Sequence, residues 1–365
     1  MNVGELIEDG LKEVLAPGKG KAFYEKLSAP EAAIRMSLNE NMLVDKSFSS
    51  TILQEVARGV DMRRYPRAKG GSALKAISED LGLWEDQIIV GNGSDELLDL
   101  VAKVFVGGGE ALIVEPTFEM YRLYVGLARG KAKPVPLRED FSLEPEDVLS
   151  AIGERTKAVF ICSPNNPTGR QYKREEVMKI VEESGKLVVL DEAYADFAPQ
   201  SLVRDAAKYP NLLVLRTLSK AYGLAGLRIG YGAGDSELIE WLRAAQSPFS
   251  VNSIAQEACK LVLENKRIYN NFIMRVMEER KYLLAELQMV NGVVPYDSDA
   301  NFILFRLMGD MKSSDIQKRL LAAGIEVRDR GDMPMLENCL RVTVADRESN
   351  MKFINELEQS LRGNK

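Results

Sequence analysis

Histidine is absent from this chain of 365 residues. A Ser-His-Asp triad, a Cys-His dyad and a histidine-ligated zinc site are therefore excluded. Acid–base chemistry must use lysine, tyrosine, aspartate, glutamate or the atoms of a cofactor, and we expect no metal site.

Cysteine is scarce and long apolar runs are missing. Cys162, Cys259 and Cys339 lie far apart and form no CxxC pair, which argues against a disulfide framework and favours a reducing compartment. Residues 1–9 are acidic and lack the apolar core of a signal peptide. No apolar run approaches the ~20 residues that a membrane-spanning helix needs. We expect a soluble cytoplasmic protein with no membrane partner.

Positive charge is not in excess. The formal net charge is −6 at pH 7, and the densest basic group, residues 63–69, is short enough to be solvated or ion-paired surface. Nucleic acid is therefore not an expected partner, and neither terminus has the basic charge of a DNA-binding module. The hydrophobic content of 45% is sufficient for a large core or two domains.

Apolar runs of strand length alternate with amphipathic stretches over roughly residues 85–245. This alternation predicts an α/β fold with a mainly parallel mixed sheet of seven strands, flanked by helices. The strand candidates are residues 87–90, 111–115, 133–135, 158–162, 187–190, 212–215 and 228–232. The helix candidates between them include residues 95–106, 118–127, 174–183 and 236–245.

The pattern changes to long helices from residue 252 to about 287, and shorter strands and helices follow. This change predicts a second, smaller α+β domain. We divide the chain into an N-terminal helical arm (1–30), a large domain (31–245) and a small C-terminal domain (246–365).

Three polar segments directly follow predicted strands. They are residues 163–169 (SPNNPTG), Asp191 and the segment that contains Lys220. Because the carboxyl ends of parallel strands lie at one edge of a sheet, where open α/β sheets bind ligands, we expect these segments to form one site.

Lys220 is the most informative residue of this set. It follows Ser219 and precedes a tightly packing apolar run, and burial would lower the pKa of its amine and make it nucleophilic. Asp191 ends an apolar strand and could hold a pyridinium nitrogen, with a helix N-cap as the alternative. Tyr194 and Asn166 could contact a phenolic oxygen. Pyridoxal 5′-phosphate requires these groups, including a lysine that forms a Schiff base.

A phosphate site is predicted where residues 91–96 (GNGSDE) leave a strand and begin a helix. Small residues let backbone amides approach a phosphate, and the helix dipole favours the anion. Helix capping explains Ser94 and Asp95 equally well. The side chains that would complete the phosphate site are Thr217, Ser219 and Arg228.

Three further side chains are candidates for ring and substrate contacts. Phe118 could stack on a pyridine ring, with core packing as the alternative. Arg341 interrupts an apolar strand, and a substrate carboxylate held by two hydrogen bonds would satisfy it; a structural ion pair is the alternative. Arg328 is a second candidate of the same kind.

Together these segments resemble the fold-type I pyridoxal-phosphate aminotransferases, and most closely the histidinol-phosphate aminotransferases, from about Leu38 to the C-terminus. The specificity of the resemblance lies in the order and spacing of its motifs. The matching segments are residues 38–41 (LNEN), 64–66 (RYP), 70–74 (GGSAL), 91–96 (GNGSDE), 115–118 (EPTF), 163–169 (SPNNPTG), 191–194 (DEAY), 217–220 (TLSK), 226–228 (GLR) and 340–343 (LRVT).

The resemblance implies a role for each candidate at the cofactor ring. Lys220 would carry the Schiff base and Asp191 would pair with the ring nitrogen. Tyr194 and Asn166 would contact the phenolic oxygen, and Phe118 would stack on the ring.

The resemblance also implies phosphate and substrate contacts. Tyr65 would reach the cofactor phosphate of the neighbouring subunit, which makes a homodimer part of the site. Arg341 would bind the α-carboxylate of glutamate, and Arg328 would bind the phosphate of histidinol phosphate or the distal carboxylate of glutamate. The phosphate contacts within one subunit would come from Ser94, Asp95, Ser219 and Arg228.

Two segments depart from the family pattern and bear on the substrate. Residues 14–19 (VLAPGK) lack the tyrosine that relatives usually carry before this stretch, and residues 42–46 (MLVDK) replace a loop that contains proline and glycine. The expected reaction is amino transfer between histidinol phosphate and 2-oxoglutarate, a ping-pong step of histidine biosynthesis. The alternatives are an aminotransferase for aromatic or other amino acids and a phosphoamino-acid decarboxylase or lyase on the same fold.

Overall fold

The computed structural model describes residues 9–14 and 34–362. The helices are α1 (Asp9–Val14), α2 (Lys46–Gly59), α3 (Gly71–Leu81), α4 (Ser94–Val101), α5 (Met120–Leu127), α6 (Pro145–Ala151), α7 (Arg174–Glu183), α8 (Ser236–Ala245), α9 (Ser253–Glu264), α10 (Lys266–Met289), α11 (Ser313–Ala322) and α12 (Arg347–Arg362). The strands are β1 (Ile34–Arg35), β2 (Ile88–Gly91), β3 (Glu110–Glu115), β4 (Lys131–Pro136), β5 (Thr156–Cys162), β6 (Leu187–Asp191), β7 (Leu212–Thr217), β8 (Gly230–Ala233), β9 (Val293–Pro295), β10 (Phe302–Leu307), β11 (Ile325–Glu326), β12 (Arg328–Asp329) and β13 (Cys339–Thr343).

The large sheet has seven strands in the order β2-β8-β7-β6-β5-β3-β4. Strands β7, β6, β5, β3 and β4 run parallel to one another, whereas β8 is antiparallel to both of its neighbours, β7 and β2. The predicted α/β fold with a mainly parallel mixed sheet is confirmed.

Both faces of the large sheet are covered, which explains the continuous apolar runs of its central strands. In β5, Val159 and Ile161 pack into one core, whereas Ala158 and Phe160 pack into a second core on the opposite face. Because side chains alternate along a strand, each central strand supplies both cores. Helices α3, α7, α9 and α10 contribute to the first core and α4, α5 and α8 to the second.

The smaller sheet lies in the C-terminal part of the chain and has the order β12-β13-β10-β9, with antiparallel neighbours throughout. Strand β1 pairs with β11 in a separate two-stranded sheet. The predicted α+β character of this region is confirmed, while the domain boundaries stay a prediction. Of the predicted helical arm (1–30), residues 9–14 are helical, and the rest lies outside the described residues.

Most predicted elements are confirmed to within a few residues, and two differ at the site. The helix that we predicted from Phe118 begins at Met120, which leaves Phe118 in the preceding loop. The strand that we predicted from Arg228 begins at Gly230, because Arg228 has a left-handed φ of 53° that interrupts extended backbone. The helix predicted over 95–106 ends at Val101 and continues as a π-helical turn.

Within residues 9–14 and 34–362, no helix combines the length and apolar character needed to span a bilayer.

Candidate active site

A cavity of about 490 Å³ lies at the carboxyl edge of the large sheet, between this edge and the smaller sheet. The predicted convergence of the strand ends is therefore observed. The sequence-predicted residues that line the cavity are Ser94, Asp95, Phe118, Asn166, Asp191, Tyr194, Thr217, Ser219, Lys220, Arg228, Arg328 and Arg341. Of the predicted site residues, only Tyr65 does not line the cavity.

Lys220 lies in the loop after β7, with its amine facing the cavity. Its Nζ donates a hydrogen bond to the carbonyl oxygen of Leu38 at 3.0 Å and lies 5.9 Å from the ring centre of Tyr194. Burial, assisted by the positive charge of Arg341, lowers the pKa of Lys220 to about 8. This amine is therefore a better nucleophile and base near neutral pH than an exposed lysine.

Asp191 is the last residue of β6 and is buried. Its Oδ2 accepts a hydrogen bond from the hydroxyl of Tyr121 at 2.7 Å, and its Oδ1 accepts one from the backbone N–H of Ala193 at 3.0 Å. Burial raises the pKa of Asp191 to about 6, although both hydrogen bonds favour the ionised form. A positively charged ring nitrogen in the cavity would supply the partner that this carboxylate needs.

Tyr194 is buried beside Lys220, and its orientation depends on Asn39. The Nδ2 of Asn39 donates to the Tyr194 hydroxyl oxygen at 3.0 Å. The Asn39 side-chain oxygen accepts from the hydroxyl of Thr343, and its backbone N–H donates to the same hydroxyl oxygen. Since an oxygen lone pair of Tyr194 is occupied by Asn39, its hydroxyl proton is available for an acceptor inside the cavity.

The phosphate end of the cavity is formed by the start of α4 and the loop that precedes β8. The Nη2 of Arg228 contacts Asp95 Oδ2 at 2.9 Å. A Cβ on Gly93, which has a φ of 80°, would lie 2.7 Å from Arg228 Nη2, so glycine is required for this close approach. The positive end of the α4 dipole and the Arg228 guanidinium together favour an anion here.

The hydroxyls of Thr217 and Ser219 near this end differ in their hydrogen bonding. Thr217 Oγ1 donates to the carbonyl oxygen of Ile229 at 3.2 Å and accepts from the backbone N–H of Ser219 at 3.1 Å. The Oγ of Ser219 is buried and has no hydrogen-bond partner among the described residues. A phosphate oxygen would satisfy Ser219, whereas Thr217 shapes the turn that presents it.

The opposite end of the cavity is rich in arginine. Arg341, from β13, donates to Asn166 Oδ1 and to the carbonyl oxygen of Ser37. Arg328, from β12, is opposite Arg341 in the strand register. Both arginines are buried, and this end is therefore suited to an anionic substrate group.

The two aromatic candidates occupy different places. Phe118 lines the cavity, and its ring packs edge-on against Tyr121 with a centroid distance of 5.6 Å. Tyr65 is 82% exposed and stacks on Phe249 at 4.9 Å. Its predicted contact with the neighbouring subunit is compatible with this exposure and stays a prediction.

Comparison with known proteins assigns the chain to a family. The model of the family described as "Aminotransferase class I and II" matches residues 34–357. The chain belongs to this family. It is 36% identical over 346 residues to the histidinol-phosphate aminotransferase of Dehalococcoides mccartyi (strain CBDB1), an alignment that covers 92% of this chain and 95% of that protein.

Solved structures of two enzymes are also similar to this aminotransferase. The crystal structure of the histidinol-phosphate aminotransferase from Clostridium acetobutylicum superposes with a TM-score of 0.83 at 25% identity, covering 90% of this chain and all of that chain. The structure of L-threonine-O-3-phosphate decarboxylase from Porphyromonas gingivalis superposes with a TM-score of 0.80, also at 25% identity, covering 90% and 100% of the two chains.

Family membership confirms the predictions of a pyridoxal-phosphate-dependent aminotransferase and of its cofactor. The cavity fits this group on independent grounds. An amine of lowered pKa and a buried carboxylate line it, and the buried hydroxyl of Ser219 lacks a partner in the described part of the chain. The residues that would hold the cofactor are Ser94, Asp95, Phe118, Asn166, Asp191, Tyr194, Ser219, Lys220 and Arg228.

Sequence reasoning missed four residues that shape the cavity. Asn39 lies in a segment that resembles the family and Tyr121 lies three residues beyond another, but nothing in their spacing indicates which side chains they contact. Arg330 and Glu119 form an ion pair at the arginine-rich end. The alternation of Arg328 and Arg330 along one segment was the available signal for Arg330, since residues two apart on a strand share a face.

Proposed function

We propose that this aminotransferase moves an amino group between histidinol phosphate and 2-oxoglutarate in a ping-pong cycle. The observation that carries the proposal is one cavity that joins the amine of Lys220 and the carboxylate of Asp191 to three buried arginines. The name and identity of the Dehalococcoides relative support the choice of substrate, since the alignment spans nearly both chains.

The cofactor end follows from the contacts already described. When bound, pyridoxal phosphate supplies an aldehyde for the amine of Lys220 and a ring that withdraws electrons from the substrate α carbon. Asp191 would hold the proton of the ring nitrogen, and the hydroxyl proton of Tyr194 would be donated to the phenolic oxygen. Asn166 uses its Oδ1 on Arg341, which leaves its amide nitrogen as a second donor.

Lys220 would also move the proton of the reaction. With a pKa of about 8, its amine is partly neutral at physiological pH and can accept a proton at Nζ. The hydrogen bond to Leu38 is to a carbonyl oxygen, which holds the amine in place and leaves its lone pair available. The amine would take the proton from the substrate α carbon and pass it to the cofactor.

At the substrate end, Arg341 would bind the α-carboxylate of glutamate. Asn166 fixes this guanidinium from one side and the carbonyl oxygen of Ser37 fixes it from another, so its orientation is set before the substrate enters. Arg328 would bind the phosphate of histidinol phosphate or the distal carboxylate of glutamate.

We also propose a cytoplasmic homodimer in which Tyr65 reaches the cofactor phosphate of the partner subunit. The exposure of Tyr65 supports this, because the side chain is available for an intersubunit contact. Gel filtration with light scattering should give twice the chain mass of 40.6 kDa. A stable, active monomer would contradict the homodimer.

We also propose the domain boundaries at residues 30 and 245, which separate the N-terminal arm, the large domain and the small domain.

The test of the reaction is a panel of amino donors with 2-oxoglutarate. We expect kcat/KM for histidinol phosphate to exceed the values for phenylalanine and tyrosine by at least about 100-fold, because specificity is a ratio of these constants. K220A should abolish turnover and leave no cofactor attached at position 220 after borohydride reduction and peptide mass spectrometry. Full activity of K220A would refute the assignment of Lys220.

A decarboxylase is the second candidate, because the threonine-phosphate decarboxylase structure has a similar TM-score and identity to the aminotransferase structure. Measurements of carbon dioxide release and of the visible spectrum of the cofactor separate the two activities. Release of carbon dioxide without conversion of the cofactor to its amine form would favour a decarboxylase.

A further inference from the structure

Arg330 is a buried arginine of the cavity with incomplete hydrogen bonding. It is 4% exposed and lines the cavity with Arg328 and Arg341. Its Nη1 donates to Glu119 Oε1 at 2.8 Å, but its Nε is buried and has no partner among the described residues. A buried N–H group of a guanidinium without an acceptor is costly, so the site is suited to a further anionic oxygen.

The position of Arg330 is fixed by the smaller sheet. Its backbone N–H donates to the carbonyl oxygen of Cys339 at 2.9 Å, just beyond the register that places Arg328 opposite Arg341. Arg328 and Arg341 lie on adjacent strands of one sheet, Arg330 directly follows β12, and all three side chains line the cavity. Their combined charge exceeds what a single carboxylate neutralises.

Glu119 contributes a carboxylate that contacts two of these arginines. Its Oε1 pairs with Arg330, and its Oε2 lies 3.9 Å from Arg328 Nη2. In contrast to the arginines, the Glu119 side chain is 34% exposed. It precedes the first residue of α5 and can turn toward solvent without moving a buried element.

We propose that Arg330 is a further substrate-binding residue and that Glu119 is an internal counter-ion, which the phosphate of a phosphate-monoester substrate displaces. The proposal rests on the proposed function for its choice of ligand. Arg328 and Arg330 both contact Glu119, and a phosphate dianion that replaces this carboxylate brings one more negative charge to their guanidinium groups. Without substrate, Glu119 keeps two buried guanidinium groups paired.

The test compares two variants of this pair in the holoenzyme, whose cofactor already fills its own phosphate site. Inorganic phosphate is the probe, and its Kd is measured by isothermal titration calorimetry. We expect R330Q to raise the Kd at least about 10-fold and E119Q to lower it about 3- to 10-fold, because E119Q removes the competing carboxylate. R122Q is the matched control: it breaks the Arg122–Glu115 pair, which does not line the cavity, and should leave the Kd unchanged.

The opposite changes in the phosphate Kd of R330Q and E119Q distinguish the proposal from a purely structural role of the ion pair. If the ion pair only held the fold together, both variants would weaken phosphate binding or neither would change it, and either result would overturn the proposal. The gain expected for E119Q cannot result from misfolding. It therefore keeps the test decisive if R330Q is unstable.

Substrate kinetics then distinguish this proposal from the proposed function. R330Q should raise the KM for histidinol phosphate about 10-fold while kcat changes less than about 2-fold, since the contacts of Arg330 are with Glu119, Met333 and Cys339 and not with Lys220. If histidinol phosphate is not turned over at all, the proposed function fails, whereas opposite shifts in the Kd of inorganic phosphate would still support the anion site. Equal shifts in the Kd overturn the anion site even if histidinol phosphate is turned over.

Discussion

The reactivity of Lys220 should depend on pH in a way that an exposed lysine does not. Its pKa is lowered to about 8 from an ordinary value of 10.5. At pH 7 about one tenth of these side chains would be neutral, compared with about 0.03% of ordinary lysines, a difference of roughly 300-fold in available amine. Burial is the main cause, and the positive charge of Arg341 is the second.

The assay is competitive labelling of the cofactor-free protein. A trace amount of an amine-reactive reagent is added between pH 6 and 11, and the labelled peptide that contains Lys220 is quantified by mass spectrometry against peptides from exposed lysines. We expect a midpoint near pH 8 for Lys220, below the ordinary lysine value of 10.5. R341Q should move the Lys220 midpoint upward, because removing a neighbouring positive charge favours the ammonium form.

A Lys220 midpoint near 10.5 in the unsubstituted protein would refute the argument that burial sets the reactivity of this amine. A downward shift in R341Q would refute the assigned contribution of Arg341. Lys281, on the exposed surface of α10, is an internal reference in both proteins.

Three further predictions concern the residues that support the cofactor. Because burial raises the pKa of Asp191 from 3.8 to about 6, its contribution to stability is fully present below pH 3.8 and is lost as the pH rises through 6. In the cofactor-free protein, the free energy of unfolding of D191N, measured with urea, should therefore exceed that of the unsubstituted chain by about 2 kcal/mol at pH 7 but not at pH 4. An equal difference at both pH values would contradict this. Y121F removes the 2.7 Å hydrogen bond to Asp191, which is worth about 1.5–3 kcal/mol to a buried carboxylate. It should raise the Kd for pyridoxal phosphate at pH 7 at least about 10-fold in fluorescence titrations. Y172F is the control and should leave this Kd unchanged, because Tyr172 is also buried but does not line the cavity. N39A removes the donor that orients Tyr194 and should raise the pH midpoint of the visible absorbance of the bound cofactor by up to about one pH unit. T343V should shift this midpoint less, in the same direction. An unchanged midpoint in both variants would exclude Asn39 from this role.

The cofactor end of the site could be predicted because it depends on strand ends. Lys220, Asp191 and Asn166 follow parallel strands, and parallel strands present their carboxyl ends at one edge. The apolar runs of β5, β6 and β7 reveal these strands without any knowledge of side-chain contacts. The positions of the three residues therefore follow from local pattern and one topological rule.

The supporting contacts could not be predicted, because they join segments that are distant in sequence. Asn39 reaches Tyr194 across 155 positions and Thr343 across 304. Glu119 and Arg330 are separated by 211 positions. Such pairs depend on how the smaller sheet is placed against the large one, and neither residue type nor periodicity carries this information. Similarly, the left-handed φ of Arg228 reflects a local turn that a strand-like pattern conceals.

The two ends of the cavity are built on different sheets, and this has a consequence for how its selectivity can change. Substitutions in β12 and the loop that follows it can reshape the arginine-rich end of the cavity, whereas Asp191 and Lys220 lie at the end of β6 and in the loop after β7 of the large sheet. Asn39 links the two ends of the cavity, since it forms hydrogen bonds with Tyr194, which follows β6 of the large sheet, and with Thr343 of β13 in the smaller sheet. A redesign for a new amino donor can therefore vary β12 and the loop that follows it, as long as Asn39, Arg341 and Thr343 are kept.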